Sequence, residues 1–377
     1  MDIGHCRSGY TFAAKKIAQE MKMNFVYAPQ QLEIDPVYLG VEDVKFGNEA
    51  VDHTTCKPSE EKNQQYKGVF GVAVLSRYPI KYVQSFPLKN QPYDWFEREI
   101  VKPDFFEKTR RFGAQKLFKA RPTREVKIGG RGFTRVDLHV PNVPHETITV
   151  INIHLEIKAE PKKRVEQLKE ILSYINDIEN PVIMAGDFNS ASRDLSSTSF
   201  KRASIRATKN NYVSAGLFLA NVTGVNQIRN VINSYKNFCD PLALGIPGIL
   251  PNKTRSMFKM IKDYRFKDGG AFDFRGDANR SINTVRRSLS NSNQRNRIKG
   301  FKPTFSVPRP IGPIGLERLD WIFVKSFLGS PKDKKGPYKL APHFGQTLGS
   351  INKALNKKYS DHHPITTVLP LNEPNIK

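Results

Sequence analysis

Apolar residues fall at helical spacing near the start of the chain. Phe12, Ala13, Ile17, Ala18 and Met21 mark a helix within residues 11–23 that runs into the strand-like NFVYAP. Residues 31–67 are polar and without a period, which predicts a long loop. A β-rich run follows at residues 68–80, GVFGVAVLSRYPI, stopped by Pro79, which has no N–H to give to a ladder. Residues 90–118 mix Tyr93, Trp95, Phe96, Phe105 and Phe106 with charge and predict no particular element. Those aromatics read as packing rather than as a platform for stacked bases. Residues 123–140 predict a hairpin that turns on Gly129 and Gly130.

Two later strands change character along their length. In residues 148–155, ITVINIHL, the even positions Ile148, Val150, Asn152 and His154 pass from apolar to polar. After Pro161 an apolar stripe of Val165, Leu168, Ile171, Leu172, Ile175 and Ile178 predicts an amphipathic helix. In residues 181–190, PVIMAGDFNS, the buried-type run Val182, Ile183 and Met184 ends in Gly186, Asp187, Phe188 and Asn189. Strand alternation sends Asp187 and Asn189 out in the same general direction. The strand, helix and second strand have the length of a βαβ unit, with His154 and Asp187 at its two strand ends. Sites in α/β proteins gather at such ends. A Gly-Asp-x-Asn run is also an ordinary turn sequence, so the remaining strand ends have to decide its meaning. Beyond Ser190 regular structure is expected to resume at residues 317–324, ERLDWIFV, with Asp320 on the opposite face from Leu319 and Trp321. The chain closes with SDHHPI at 360–365 and the strand TTVL at 366–369.

Charge adds a second feature. The 377 residues carry a formal net charge of +24, and residues 201–302 hold 20 Lys and Arg against 5 Asp, a net of +15. That block suits a polyanion or an anionic membrane surface, and equally a solvated insertion. No apolar run approaches the ~20 residues that span a bilayer, and MDIGHCRSGY lacks the apolar core of a signal peptide. Localisation and oligomeric state stay open. Cys6, Cys56 and Cys239, odd in number and far apart, indicate neither a disulfide framework nor a zinc site.

Four strand ends now present His154, Asp187 with Asn189, Asp320, and Asp361 with His362, which is a hydrolytic set. Two histidines can serve as general acid and base, each supported by a carboxylate that fixes its tautomer. A remaining carboxylate can hold a hard divalent cation such as Mg²⁺. Arg124, at the start of the expected hairpin, and Asn152 are candidates for substrate contact.

NIHL, GDFN, LDWIFV and SDHHP, in that order and with a helix between the first two, resemble the endonuclease/exonuclease/phosphatase superfamily, with its pancreatic-deoxyribonuclease fold. GVAVLSRYPI resembles that family's strand ahead of the hairpin. The resemblance implies an α/β (α+β) four-layer sandwich of two packed mixed β-sheets flanked by helices, as a single domain over residues 1–370 with a basic insertion at about 200–302. It implies phosphoester hydrolysis by direct attack of water, dependent on Mg²⁺ or Mn²⁺. Asp187 would activate the water, and Asn189 and His154 would contact the phosphate. His362, paired with Asp320, would contact or protonate the reacting group, Asp361 would support the metal, and His363 would stand behind them. The substrate class extends over nucleic acid, phospholipid and inositol phosphate headgroups.

The family pattern also has an Asn-bearing strand, and then a strand ending in a metal-binding Glu, ahead of the first helix. DIGHCRSG resembles the segment just after that Glu, so an N-terminally truncated, aggregation-prone domain is expected, with Glu33 and Glu42 as possible substitutes. The alternative is a catalytically impaired chain that binds nucleic acid or anionic membrane through its basic insertion.

Overall fold

The computed structural model describes residues 1–5, 8–42, 65–118, 124–190, 255–273, 303–311, 314–325, 340, 343–351, 360–369 and 371. Two multi-stranded sheets pack face to face. One has the order β1-β3-β2-β5, from β1 (Asp2–Ile3), β2 (Asn24–Ile34), β3 (Tyr66–Ser76) and β5 (Val126–Gly129), all antiparallel. The other has the order β4-β6-β7-β8-β12-β9, from β4 (Ile80–Pro87), β6 (Gly132–His139), β7 (Thr147–His154), β8 (Val182–Asp187), β12 (Asp320–Lys325) and β9 (Phe272–Asp273). Only β7 and β8 pair in parallel in that sheet, joined by the helix α4 (Pro161–Tyr174) in the expected βαβ crossover. Strands β10 (Phe305–Ile311) and β11 (Ile314–Glu317) form one separate pair, and β13 (His343–Thr347) and β14 (Ile365–Val368) another.

The period of two sorts the six-stranded sheet into two apolar layers. Val136, Leu138, Ile148 and Val324, with Val150, Ile183 and Ile322, face Val26 and Val74 of the other sheet. Residues one step along, including Phe133, Ile151, Ile153, Met184, Trp321 and Phe323, pack on the outside against Leu168, Ile171 and Leu172 of α4. Helix α1 (Ala13–Met21) covers the other sheet's outer face, with Phe12 just before it set edge-on to Phe25 and Tyr27. Helices, sheet, sheet and helices make the four layers.

Three expectations are corrected. Residues 126–129 and 132–139 do not form a hairpin. β5 pairs with β2 and β6 with β4 and β7, so Gly129 and Gly130 carry the chain from one sheet to the other. Gly129 has φ of 109°, and a Cβ there would lie 2.4 Å from the Gln30 carbonyl oxygen, which only glycine avoids. Next, β2 continues to Ile34, so Gln31 and Glu33 are strand residues whose polarity comes from lining the cleft between the sheets. Finally, part of the expected basic insertion is core. Helix α5 (Arg255–Asp263) buries Met257, Phe258 and Ile261 against the outer layer, and β9 extends the sheet beside β12. Residues 201–254 and 274–302 of that run lie outside the described residues. In residues 90–118, where no element was predicted, helices α2 (Trp95–Glu99) and α3 (Phe105–Phe118) form.

The Phe258 ring stacks tilted on Trp321 at 4.6 Å. A Phe258→Ala variant is expected to lose about 3–5 kcal/mol of stability. Urea denaturation measures this, and a loss under about 1 kcal/mol would mean that α5 does not belong to the core.

Candidate active site

Strand register builds the first part of the site. His154 pairs with Asp187 across β7 and β8, and Asp187 pairs with Asp320 across β8 and β12, so the three stand in one row. Parity sets their direction. They share the face of Val150, Ile183 and Ile322, which looks onto the four-stranded sheet. His154 Nε2 lies 3.6 Å from Asp187 Oδ2. His362 arrives from the segment before β14 and makes an isolated bridge to Phe305. Its Nδ1 lies 2.8 Å from Asp320 Oδ2, with the ring nitrogen donating to the carboxylate.

Local sequence fixes this row. Gly186 has φ of 141°, and a Cβ on it would sit 2.0 Å from the Ile153 carbonyl oxygen, so the strand closes tightly on β7 just before Asp187. Phe188 is fully buried in the outer layer and anchors the turn. Asn189 does not continue the strand. At φ of 45° its N–H donates to Asp187 Oδ1 at 2.7 Å, and its Nδ2 donates to the Leu155 carbonyl at 2.8 Å. GDFN is therefore both an ordinary Asx-type turn and the holder of a carboxylate, which joins the two readings that its sequence left open. Thr304 performs the same service for the other half. Its Oγ1 accepts from the N–H of Leu319 at 2.9 Å, and its carbonyl accepts from the N–H of His363 at 2.6 Å, which ties the Asp320 strand to the His362 segment.

Other expected residues stand elsewhere. Asn152 faces the cleft, but its Nδ2 donates to the Ala73 carbonyl at 2.8 Å and pins β7 to β3. Arg124 Nη1 pairs with Glu99 Oε2 at 2.9 Å. Asp361 is exposed, with Oδ1 3.5 Å from Ser360 Oγ, outside the group formed by Asp187, Asp320 and His362. Glu33 pairs with His5 at 3.2 Å and Lys127 at 3.4 Å, while Glu42 is held by Arg111 and the Arg124 N–H. Sequence reasoning missed Phe70, Lys127 and Arg131. The Phe70 ring meets His154 edge-on at 5.4 Å, with the Lys127 ammonium and the Arg131 guanidinium over the same ring. No local pattern signals them, because they become neighbours of His154 only when the two sheets close.

The charges split the two histidines. Burial first, then the positive charges of Arg131 and Lys127, hold His154 well below the usual histidine range, so it is neutral at pH 7. Burial alone would also lower His362, but its hydrogen bond to Asp320 and the charges of Asp187, Asp320 and Asp361 raise it to about 10. The Asp187 carboxyl is raised by burial and by Asp320, against the pull of His362. Donor atoms of Asp187, Asp320 and His362 come within 4.8 Å of one another. Two carboxylates that meet at one point, Asp187 and Asp320, fit a hard divalent cation such as Mg²⁺ or Mn²⁺, with the protonated His362 beside them rather than among the ligands.

The profile of the Endonuclease/Exonuclease/phosphatase family matches residues 18–362, and the chain belongs to that family. Its members are hydrolytic phosphoesterases that generally use divalent metals. Among solved structures, the chain is similar to an endonuclease/exonuclease/phosphatase from Beutenbergia cavernae, at 15% identity and a TM-score of 0.41, covering 96% of this chain and 58% of that one. It is also similar to a 3'-5' exonuclease from Neisseria meningitidis, at 15% identity and a TM-score of 0.38, covering 96% and 84%. A third is an AP endonuclease from Archaeoglobus fulgidus, at 15% identity and a TM-score of 0.36, covering 98% and 96%. No curated protein matches the chain. Among the described residues no helix is long and apolar enough to cross a membrane.

Proposed function

We propose that this chain hydrolyses phosphoesters by direct attack of water at the His154, Asp187, Asp320 and His362 row, with a divalent cation. The observation that carries the reading is the alignment of these side chains at neighbouring strand positions, facing the cleft between the sheets. A cation would be held by the carboxylates of Asp187 and Asp320 beside His362, and would offset charge on the phosphoryl oxygens. Asp187, with its carboxyl raised, orients the attacking water and takes its proton. Neutral His154 donates one ring N–H to a phosphoryl oxygen, and Asn189 keeps Asp187 in place. His362, charged and held by Asp320, delivers a proton to the leaving oxygen. Asp361 adds negative charge beside His362. The net charge of +24 favours a polyanionic phosphoester, either nucleic acid or a phospholipid headgroup. No particular observation favours the binding-only alternative.

Chelation tests the reading. Hydrolysis of bis(4-nitrophenyl) phosphate is expected to stop in EDTA and to return with added Mg²⁺ or Mn²⁺. Turnover that is indifferent to EDTA would remove the cation from the mechanism, and a metal-loaded chain that turns over neither this diester nor the monoester 4-nitrophenyl phosphate would overturn the hydrolase reading.

A further inference from the structure

Arg131 is 2% exposed, yet its guanidinium is held along one edge only. Nε donates to Glu156 Oε2 at 3.1 Å. Glu156 is itself fixed, accepting from Trp95 Nε1 at 2.8 Å on that oxygen and from the Lys158 N–H at 3.0 Å on the other. This carboxylate therefore aims the arginine. Arg131 Nη1 is buried and makes no hydrogen bond. The guanidinium lies over the Phe70 ring at 5.7 Å, and that ring meets His154.

Gln31 is the second such group. In β2 it is paired with Phe70 on one side and with Gly129 on the other, two residues before Arg131. Directly opposed residues in an antiparallel sheet share a face, so Gln31 looks onto the cleft with Phe70. It is 2% exposed, and neither its amide oxygen nor its amide nitrogen has a partner. Buried donors are rarely left unmatched, and two beside one ring that meets His154 form a prepared site for something that accepts hydrogen bonds. The fixed charge of Arg131, whose Nη1 is unmatched, makes an anion the occupant; Lys127, over the same ring, is already paired with Glu33 and Glu125.

We infer that Arg131 Nη1 and the Gln31 amide form an oxyanion pocket that binds the non-bridging oxygens of a phosphoryl group lying against His154. This rests on the phosphoester reading for its role in turnover. The pocket itself rests on the buried, unmatched donors. Arg131 and Gln31 are then substrate-binding residues, and Glu156 is the positioning residue behind Arg131.

Inorganic phosphate is the probe, titrated calorimetrically into the full chain without metal, alongside variants Arg131→Gln, Arg131→Lys and Gln31→Leu. Wild type is expected to bind phosphate, and Arg131→Gln to weaken it by on the order of tenfold or more, as for loss of one charge-assisted hydrogen bond. Arg131→Lys should recover part of that loss, since the charge remains and the fork does not. Gln31→Leu should also weaken phosphate, yet melt no lower than wild type, because it removes a buried amide that has no partner without the anion. It keeps the test open if the arginine variants fail to fold. Phosphate affinity in Gln31→Leu equal to wild type, or no phosphate binding by wild type, overturns the pocket. Phosphate binding that depends on both residues in a chain that hydrolyses no phosphoester would keep the pocket and remove the hydrolase reading. In an active enzyme Arg131→Gln and Gln31→Leu should raise KM more than they lower kcat, whereas a merely structural role would lower the amount of folded enzyme and leave KM unchanged.

Discussion

An Asp187→Asn variant is expected to lose phosphoester hydrolysis by about 10²- to 10⁴-fold, the usual cost of removing a positioned acid or base. Its fold should be retained for a structural reason. The Asn side-chain oxygen can still accept the N–H of Asn189, so the turn that holds the strand end is preserved. Burial disfavours the ionised form of Asp187, so a neutral amide of the same shape should not lower the melting temperature. Initial rates at saturating metal and a thermal melt give both numbers. A variant that keeps more than half of the activity would show that Asp187 has no part in the chemistry, whatever its neighbours.

Gly186→Ala should do the reverse, damaging the fold and the site together. A φ of 141° is a conformation that L side chains rarely adopt, and holding one there costs about 1–3 kcal/mol. The added methyl also meets the Ile153 carbonyl oxygen at 2.0 Å, which is backbone and cannot swing away. β8 must then move off β7 at the point where Asp187 faces His154. The expected result is a loss greater than the conformational cost alone, with aggregation or unfolding on warming and little activity in whatever remains folded. Gly113 in α3 is the control. A Cβ there meets nothing within 4 Å, and Gly113→Ala should stabilise the chain by about 0.5–1 kcal/mol. Equal melting temperatures for the two variants would contradict the close approach of β7 and β8.

What the sequence made legible was whatever a local period could carry. The apolar run before Asp187, the shift from Ile148 to His154, the stripe of α4 and the alternation around Asp320 place three side chains at strand ends; that the three strands are neighbours, with those side chains in one row, comes from the sheet order. Its failures have a common cause. Polar residues in β2 looked like a loop because Gln31 and Glu33 face a buried polar cleft, and polarity normally signals solvent. Gly129 and Gly130 looked like a hairpin turn because a turn and a crossing between sheets need the same conformational freedom. Met257, Phe258 and Ile261 were readable as one helical face, but the charge around them made the whole segment look like an insertion. Asn189 leaves the strand in a left-handed conformation, which no alternation rule contains. The pairing of Phe70, Lys127 and Arg131 with His154 depends on how one sheet lies over the other, a property of no single segment.

On the proposed reading, the carboxylates of Asp187 and Asp320 bind the cation, with His362 beside them, at the place where the phosphoester is hydrolysed. Mn²⁺ titrated into the full chain, with occupancy read by electron paramagnetic resonance and diester turnover read in the same samples, tests it most directly. Turnover should rise in step with occupancy in the wild type, and Asp320→Asn, which removes an anionic ligand and weakens the hold on His362, should reduce both together. Full turnover in Asp320→Asn, or turnover that does not follow occupancy in the wild type, would contradict it.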